Sequence, residues 1–151
     1  MKHRTILFVC TGNTCRSPMA EFAMKAELKK RKIRWYRVQS AGIRAIDGLA
    51  MTDLAAQALD EEKIPHSEKF VSRQLTRKMV EDAYAVICMT NAQQEALKEF
   101  LNVTSFSELC GREIPDPYGQ GKDIDRATLQ SILECLPKII CDCCPPLEMD
   151  T

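Results

Sequence analysis

The sequence predicts an α/β fold in a single domain, with a central four-stranded parallel sheet between helical layers on both faces. Three observations predict it. Two short apolar runs, Ile6 to Cys10 and Tyr84 to Met89, read as strands buried on both faces. Segments with apolar residues at helical spacing alternate with the strand-like segments. No repeat, low-complexity stretch or Gly/Ser linker divides the 151 residues, a length that suits one core.

The elements follow in order. After the strand Ile6 to Cys10, Met19, Phe22, Ala23 and Ala26 recur as a helical stripe. Tyr36 to Ser40 turns to strand and is ended by Ala41-Gly42, and Met51, Leu54, Ala55 and Ala58 restore a helix. A further helix starts near Thr76, before the strand Tyr84 to Met89, and Asn91 to Leu101 reads as another helix. A weaker strand is expected over Val103 to Phe106. Leu129, Ile132, Leu133, Leu136 and Ile140 form a last helical stripe that Pro137 should kink or end. In open parallel sheets ligands bind beyond the carboxyl ends of strands, so the turn after Cys10 is the first place to look for a site.

Lys and Arg number 21, as do Asp and Glu, so no global field favours nucleic acid or an acidic membrane, and anion binding must be local. No run approaches the roughly 18 apolar residues of a spanning helix, and the apolar stretch after the basic start is too short for a secretory signal. A cytoplasmic monomer with no nucleic-acid or membrane partner is expected. The eight cysteines are then expected to be mostly reduced, with Cys88, Cys110 and Cys135 serving as small buried hydrophobes. Cys141, Cys143 and Cys144, followed by Pro145-Pro146, lack the spacing and the second ligand pair of a tetrahedral zinc site. They read as a weakly packed tail, 141–151, after a domain of residues 1–140. Lys29-Lys30-Arg31-Lys32 is a basic run suited to a helix C-terminus.

The segment Cys10-Thr11-Gly12-Asn13-Thr14-Cys15-Arg16-Ser17-Pro18 carries the chemistry. A strand runs into a nucleophile, and an arginine follows where a helix should begin. A short loop entering a helix can curl its N–H groups into an anion-binding nest, and the helix end adds partial positive charge. Gly12 leaves room in the loop, Asn13 tolerates left-handed dihedrals, and Ser17-Pro18 suits an N-cap and first turn. Thr11 to Cys15 and Ser17 are therefore predicted to surround phosphate. Arg16 would grip two phosphate oxygens in its planar fork. A cation and a helix end favour the thiolate of cysteine, the form in which Cys10 would attack phosphorus and give a thiophosphate that water later hydrolyses. Nucleotide-binding loops are excluded, because neither G-x-x-x-x-G-K-[ST] nor G-x-G-x-x-G occurs.

A leaving group needs a proton, which calls for a carboxylic acid on another element. Ile114-Pro115-Asp116-Pro117-Tyr118-Gly119 supplies the best candidate: two prolines stiffen the chain around Asp116, and Tyr118 could wall a substrate slot.

Together these segments, the first running from Val9 through Met19-Ala20-Glu21, with Ser40-Ala41-Gly42 and Ser72-Arg73-Gln74-Leu75, resemble the low-molecular-weight protein tyrosine phosphatase family over most of the chain. The resemblance implies a phosphatase domain over 1–140 that needs no metal or cofactor, acts on phosphorylated proteins or peptides and releases inorganic phosphate. It implies Cys10 as nucleophile, Arg16 as clamp, and Asp116 as acid and then base. Asn13 would brace the loop and Ser17 would hydrogen-bond the Cys10 thiolate. Thr14 stands where tyrosine-directed members usually have Ile, and Gly-Asn-Thr-Cys-Arg-Ser is similar to the bacterial protein-arginine phosphatase branch. Tyr118 points the other way, to the tyrosine-directed members, so phosphoarginine is favoured slightly over phosphotyrosine. Cys15 could pair with Cys10 in a protective disulfide. The alternatives are an arsenate reductase of similar fold, which relays oxidation through further cysteines, and a phosphocarrier subunit of a sugar transport system.

Overall fold

The computed structural model describes residues 3–146. Strand β1 (Arg4–Cys10) leads into α1 (Arg16–Lys30), and β2 (Tyr36–Gly42) is followed by α2 (Asp53–Glu61) and α3 (Arg77–Asp82). Strand β3 (Ala85–Cys88), α4 (Asn91–Ala96) and β4 (Val103–Ser105) come next, and α5 (Phe106–Cys110) and α6 (Lys122–Cys143) complete the chain. The strands form one parallel sheet in the order β2-β1-β3-β4, with β1 and β3 at its centre. Residues 6–10 are almost without exposure, which accounts for the unbroken apolar run of β1. Ile6, Phe8 and Cys10 face a core shared with α1, α2, α5 and α6, whereas Leu7 and Val9 face a smaller one with Val80, Val86 and Cys88.

The structure departs from the sequence expectations in five places. Helix α4 stops at Ala96 instead of Leu101, because Phe100 N–H bonds back to Leu97 O in a tight turn. That turn sets Asn102 O to accept Val86 N–H and brings β4 into register with β3. Phe106 opens α5 rather than ending β4. Ser105 caps this extra helix by accepting Glu108 N–H, and Ser105-Phe106-Ser107-Glu108 carries the capping spacing in its sequence.

Pro137 does not end α6. The helix continues to Cys143 across the boundary expected at 140, and Cys143 and Cys144 lie in the core rather than in a weakly packed tail. Burial of those two apolar thiols holds the last turn in place, pushing them up to about 11 and about 12. The remainder of the expected tail, 147–151, lies outside the described residues. Cys110 and Cys135 are not separate thiols: they form a disulfide joining α5 to α6, whose Cα atoms stand 6.0 Å apart. Finally, α1 begins at Arg16, so its N-cap is Cys15 and not Ser17.

Candidate active site

At the carboxyl end of β1 the chain turns through Thr11 to Cys15 before entering α1. The last carbonyl of β1 and two of this turn are committed to neighbouring backbone. Cys10 O accepts Ile43 N–H, Thr11 O accepts Arg44 N–H and Thr14 O accepts Thr52 N–H, all at 2.9 Å. Among the described residues no protein acceptor takes the N–H groups of Gly12, Thr14, Cys15 or Arg16. Helix α1 also has no side-chain cap and no acidic residue in its first turn. The turn therefore presents donors and the positive end of a 15-residue helix to the same space, the requirement of an anion site.

Ser17 has been drawn away from capping into a buried polar network around Cys10. Its Oγ lies 2.9 Å from Cys10 Sγ, and Asn13 N–H points at that sulfur from 3.2 Å. Asn13 is fully buried with φ at 58°, a left-handed conformation that Asn adopts more readily than most residues. Its Nδ2 donates to Ser17 Oγ at 2.8 Å and to Ser40 Oγ at 3.0 Å, and its Oδ1 accepts Arg73 N–H at 2.9 Å. Ser40 Oγ in turn donates to Glu21 Oε1 at 2.6 Å, and Lys25 Nζ holds Glu21 Oε2 at 2.6 Å.

Gly42 faces the turn from the end of β2. A Cβ there would lie 2.5 Å from Thr11 O and 3.0 Å from Asn13 N, so only glycine lets the two segments approach this closely. On the opposite side Gln93 donates to Thr11 Oγ1 at 3.2 Å while accepting Met89 and Thr90 N–H.

Cys10 to Arg16, with Asp116 and Tyr118, line one cleft of about 400 Å³. Arg16 is buried, and its Nη1 is anchored by Ile114 O at 3.0 Å. Its Nη2 lies 3.9 Å from Asp116 Oδ2. Asp116 is half-exposed and its Oδ1 accepts Tyr118 N–H, while the Tyr118 ring stands largely in solvent. Thr52, Leu54, Gly119 and Asp125 complete the walls. The structure thus brings Cys10 to Arg16, Asp116 and Tyr118 around one cleft and adds others; Ser17, expected beside the phosphate, is fully buried and does not line the cleft, meeting it only through Cys10 Sγ.

Asp125, Gln93 and Thr52 carried no signal in the sequence. Glu21, Ser40, Gly42 and Arg73 stood in the segments of the family resemblance without a role. Asp125 is 4% exposed and accepts the Cys15 thiol at 3.2 Å. Burial first, then the hydrogen bond and charge of Asp125, hold the Cys15 thiol far above its ordinary range. Cys10 and Cys15 are both free thiols here, with Cys15 directed to Asp125. Among the described residues no cluster of side chains suited to a metal ion occurs, and no helix is long and apolar enough to cross a membrane.

Comparison with known proteins adds to this geometry. The pattern of the family described as low molecular weight phosphotyrosine protein phosphatase matches residues 5–142. A protein-arginine-phosphatase of Bacillus subtilis (strain 168) is 31% identical over 142 residues, covering 89% of this chain and 93% of that one. The low molecular weight protein-tyrosine-phosphatase PtpB of Staphylococcus haemolyticus is 30% identical over 140 residues, covering 89% and 96%. Among solved structures, the YwlE arginine phosphatase in a cysteine-to-serine mutant with a phosphorylated active-site serine superimposes with a TM-score of 0.81. It is 31% identical and covers 89% of this chain and 92% of that one.

Proposed function

The chain belongs to the low molecular weight phosphotyrosine protein phosphatase family, and on that premise we propose that it hydrolyses phosphorylated protein side chains, phosphoarginine ahead of phosphotyrosine, through a phosphoryl group carried on Cys10. The observation that carries the reading is the cleft itself. A cysteine sulfur held by Ser17 and Asn13 shares it with a buried arginine, free N–H groups at a helix end, and a carboxyl on a separate loop.

The phosphoryl group sits among the loop N–H groups with Arg16 across two of its oxygens. Cys10 Sγ attacks phosphorus in line with the leaving group. The S–P bond forms, the P–N bond of phosphoarginine or P–O bond of phosphotyrosine breaks, and Asp116 gives its proton to the departing atom. Asp116 then takes a proton from water as the water oxygen attacks phosphorus. Inorganic phosphate leaves and the Cys10 thiolate is restored. Ser17 and Asn13 N–H stabilise that thiolate when it departs. The phosphorylated serine in the related arginine phosphatase supports a covalent phosphoryl carrier at this position.

Thr14 supports the substrate preference. Its Oγ1 stands 3.9 Å from the point where a side chain on Gly12 would begin, so the hydroxyl borders the cup. It offers an oxygen to a guanidinium nitrogen, which an Ile at the same place would not. Asp125 lines the same cleft, and a carboxylate there suits a cationic leaving group better than a phenyl ring. Thiols other than Cys10 and Cys15 do not line it among the described residues, which leaves a reductase relay without its further cysteines.

The test compares initial rates on phosphoarginine and phosphotyrosine peptides without added metal, for the wild type, Thr14→Ile and Cys10→Ser. Wild type should favour phosphoarginine, and Thr14→Ile should move the ratio toward phosphotyrosine by about tenfold, as expected for one unmade hydrogen bond. Cys10→Ser should lose turnover. An unchanged ratio in Thr14→Ile refutes the specificity assignment, and turnover retained by Cys10→Ser refutes the thiol mechanism.

A further inference from the structure

A second and larger concavity, of about 920 Å³, runs along the outer edge of β2 beside the C-terminal half of α1. It is distinct in its charge. Lys25, Lys29, Lys32, Arg34, Arg37 and Arg73 all line it, and Glu21 is its one carboxylate. Glu21 is buried and already engaged by Lys25 and Ser40. Among the described residues no carboxylate lies within ion-pair distance of the other five cations. In a chain of zero net charge this is a local concentration of positive potential, with four of those five cations exposed.

The floor is of a different character. Leu28, Ile33, Tyr36 and Val38 supply apolar surface between the charged walls. The strand forming one wall is also free over Tyr36 to Gln39: β2 is the last strand of the sheet, and among the described residues its outer side is met only near its end, where Arg73 Nη2 donates to Ser40 O at 3.2 Å and Gly42 pairs with Gln74. Cations on an edge strand guard against edge-to-edge association. A guard, however, requires charges on the strand alone. Here they come from α1, the turn after it, β2 and the Arg73 segment, and they converge on an apolar trough.

The geometry points to this groove as a docking site for an extended acidic segment of a partner protein, with acidic side chains alternating with apolar ones. An extended chain laid along β2 can meet the free strand edge with its backbone, direct alternate apolar residues to the floor and set carboxylates against the walls. Nucleic acid is less well served. Tyr36 is the one aromatic residue beside His3 in the lining, and its hydroxyl donates to Pro145 O, which ties it to the fold. A membrane surface is disfavoured because the exposed large apolar residues, among them Ile46, Leu49 and Leu101, lie outside the groove. This assignment is independent of the substrate and mechanism proposed for the cleft.

The experiment uses the full chain and fluorescein-labelled dodecapeptides in anisotropy titrations at low ionic strength. One peptide alternates Glu and Val, one alternates Lys and Val, and a single-stranded oligonucleotide of equal charge and anionic vesicles serve as competitors. The charge-neutralising pair Lys29→Gln/Arg37→Gln removes one cation from each wall without touching Lys25 or Arg73, which are wired to the Cys10 loop. The Glu peptide should bind saturably and weaken as salt rises, and the Lys peptide should not bind. The double variant should bind the Glu peptide about fivefold more weakly, the size expected of two exposed charge pairs. Its activity on a small aryl phosphate should stay at the wild-type level, showing that it is folded. Absence of binding by the Glu peptide, equal binding by variant and wild type, or stronger competition by the oligonucleotide or vesicles than by unlabelled Glu peptide would each overturn the proposal.

Discussion

Replacing Asn13 tests whether the polar network around Cys10 is a structural necessity of the loop. Asn13→Ala removes the amide that donates to Ser17 and Ser40 and accepts from Arg73 N–H, three bonds in all. At about 0.5–1.5 kcal/mol net for each bond, and about 1–2 kcal/mol for holding alanine in a left-handed conformation, the expected loss is about 3–6 kcal/mol. That is a large fraction of the roughly 5–15 kcal/mol that stabilises a domain. Asn13→Gly loses the same bonds but not the dihedral penalty. Offset by the greater unfolded-state entropy of glycine, it should be about 0.5–1 kcal/mol less destabilised than alanine.

Asn13→Asp isolates the loss of the two amide donors. It keeps an acceptor for Arg73 N–H and tolerates the dihedral, but it loses both donors and sets a negative charge beside the Cys10 sulfur. Stability should fall by about 1–3 kcal/mol for the two lost donor bonds, with the cost of a charge at a fully buried position added to it, while kcat/KM on an aryl phosphate falls about a hundredfold, the size of one preorganised electrostatic contact. Urea unfolding curves and initial rates on the variants measure both quantities. A loss below about 1 kcal/mol in Asn13→Ala, or an Asp variant as active as wild type, would refute the reasoning.

Three further outcomes follow from particular contacts. Gly42→Ala should lower stability by about 1–3 kcal/mol, as overpacking does, and should lower activity as well, because the new methyl displaces the backbone of Thr11 and Asn13; a thermal melt and a rate assay check it. Asp125→Asn should bring the Cys15 thiol down toward its ordinary range, though burial, the largest cause of its elevation, remains; iodoacetamide labelling of Cys15 at pH 8.5, followed by peptide mass mapping in a Cys10→Ser background, should be faster than in Cys10→Ser alone. Cys88 is pushed up to about 12 by burial in β3, so the folded state keeps this proton where the unfolded chain releases it. Stability should therefore be unaffected below about pH 8.5 and fall above it, by about 1.4 kcal/mol per pH unit from this thiol, and Cys88→Ala should fall less steeply in urea titrations between pH 8 and 10.

The parts of the fold legible in the sequence are those specified by local pattern. β1 and β3 are buried on both faces and read as unbroken apolar runs, and the N-caps Thr52, Thr76 and Thr90 stand at or beside helix starts that the sequence places. Pro137 misled because the penalty for proline inside a helix is local, whereas the burial of Ile139, Ile140, Cys143 and Cys144 beyond it is a tertiary gain. The Cys110–Cys135 disulfide was hidden for a related reason. It spans 25 residues, and only the packing of α5 on α6 shows that the two thiols meet.

The candidate site divides along the same line. Residues 10–18 were legible because a loop that binds an anion at a helix end is built from one contiguous segment. What positions that segment comes from elsewhere in the chain: Ser40 reaches Asn13 across 27 residues, Gln93 reaches Thr11 across 82 and Asp125 reaches Cys15 across 110. Each has an ordinary local reading, Asp125 most of all, since an acidic residue in a helix's first turn is expected for the dipole alone. Ser17 shows how such readings mislead. Its position suits a cap, but capping would take its hydroxyl from Cys10 and fill a helix end whose free N–H groups are the anion site. An uncapped helix is a local cost of about 1 kcal/mol, and here it is the arrangement that leaves donors for phosphate. The sequence rule fails at Ser17 because the local optimum and the geometry of the cleft require different partners for the same oxygen.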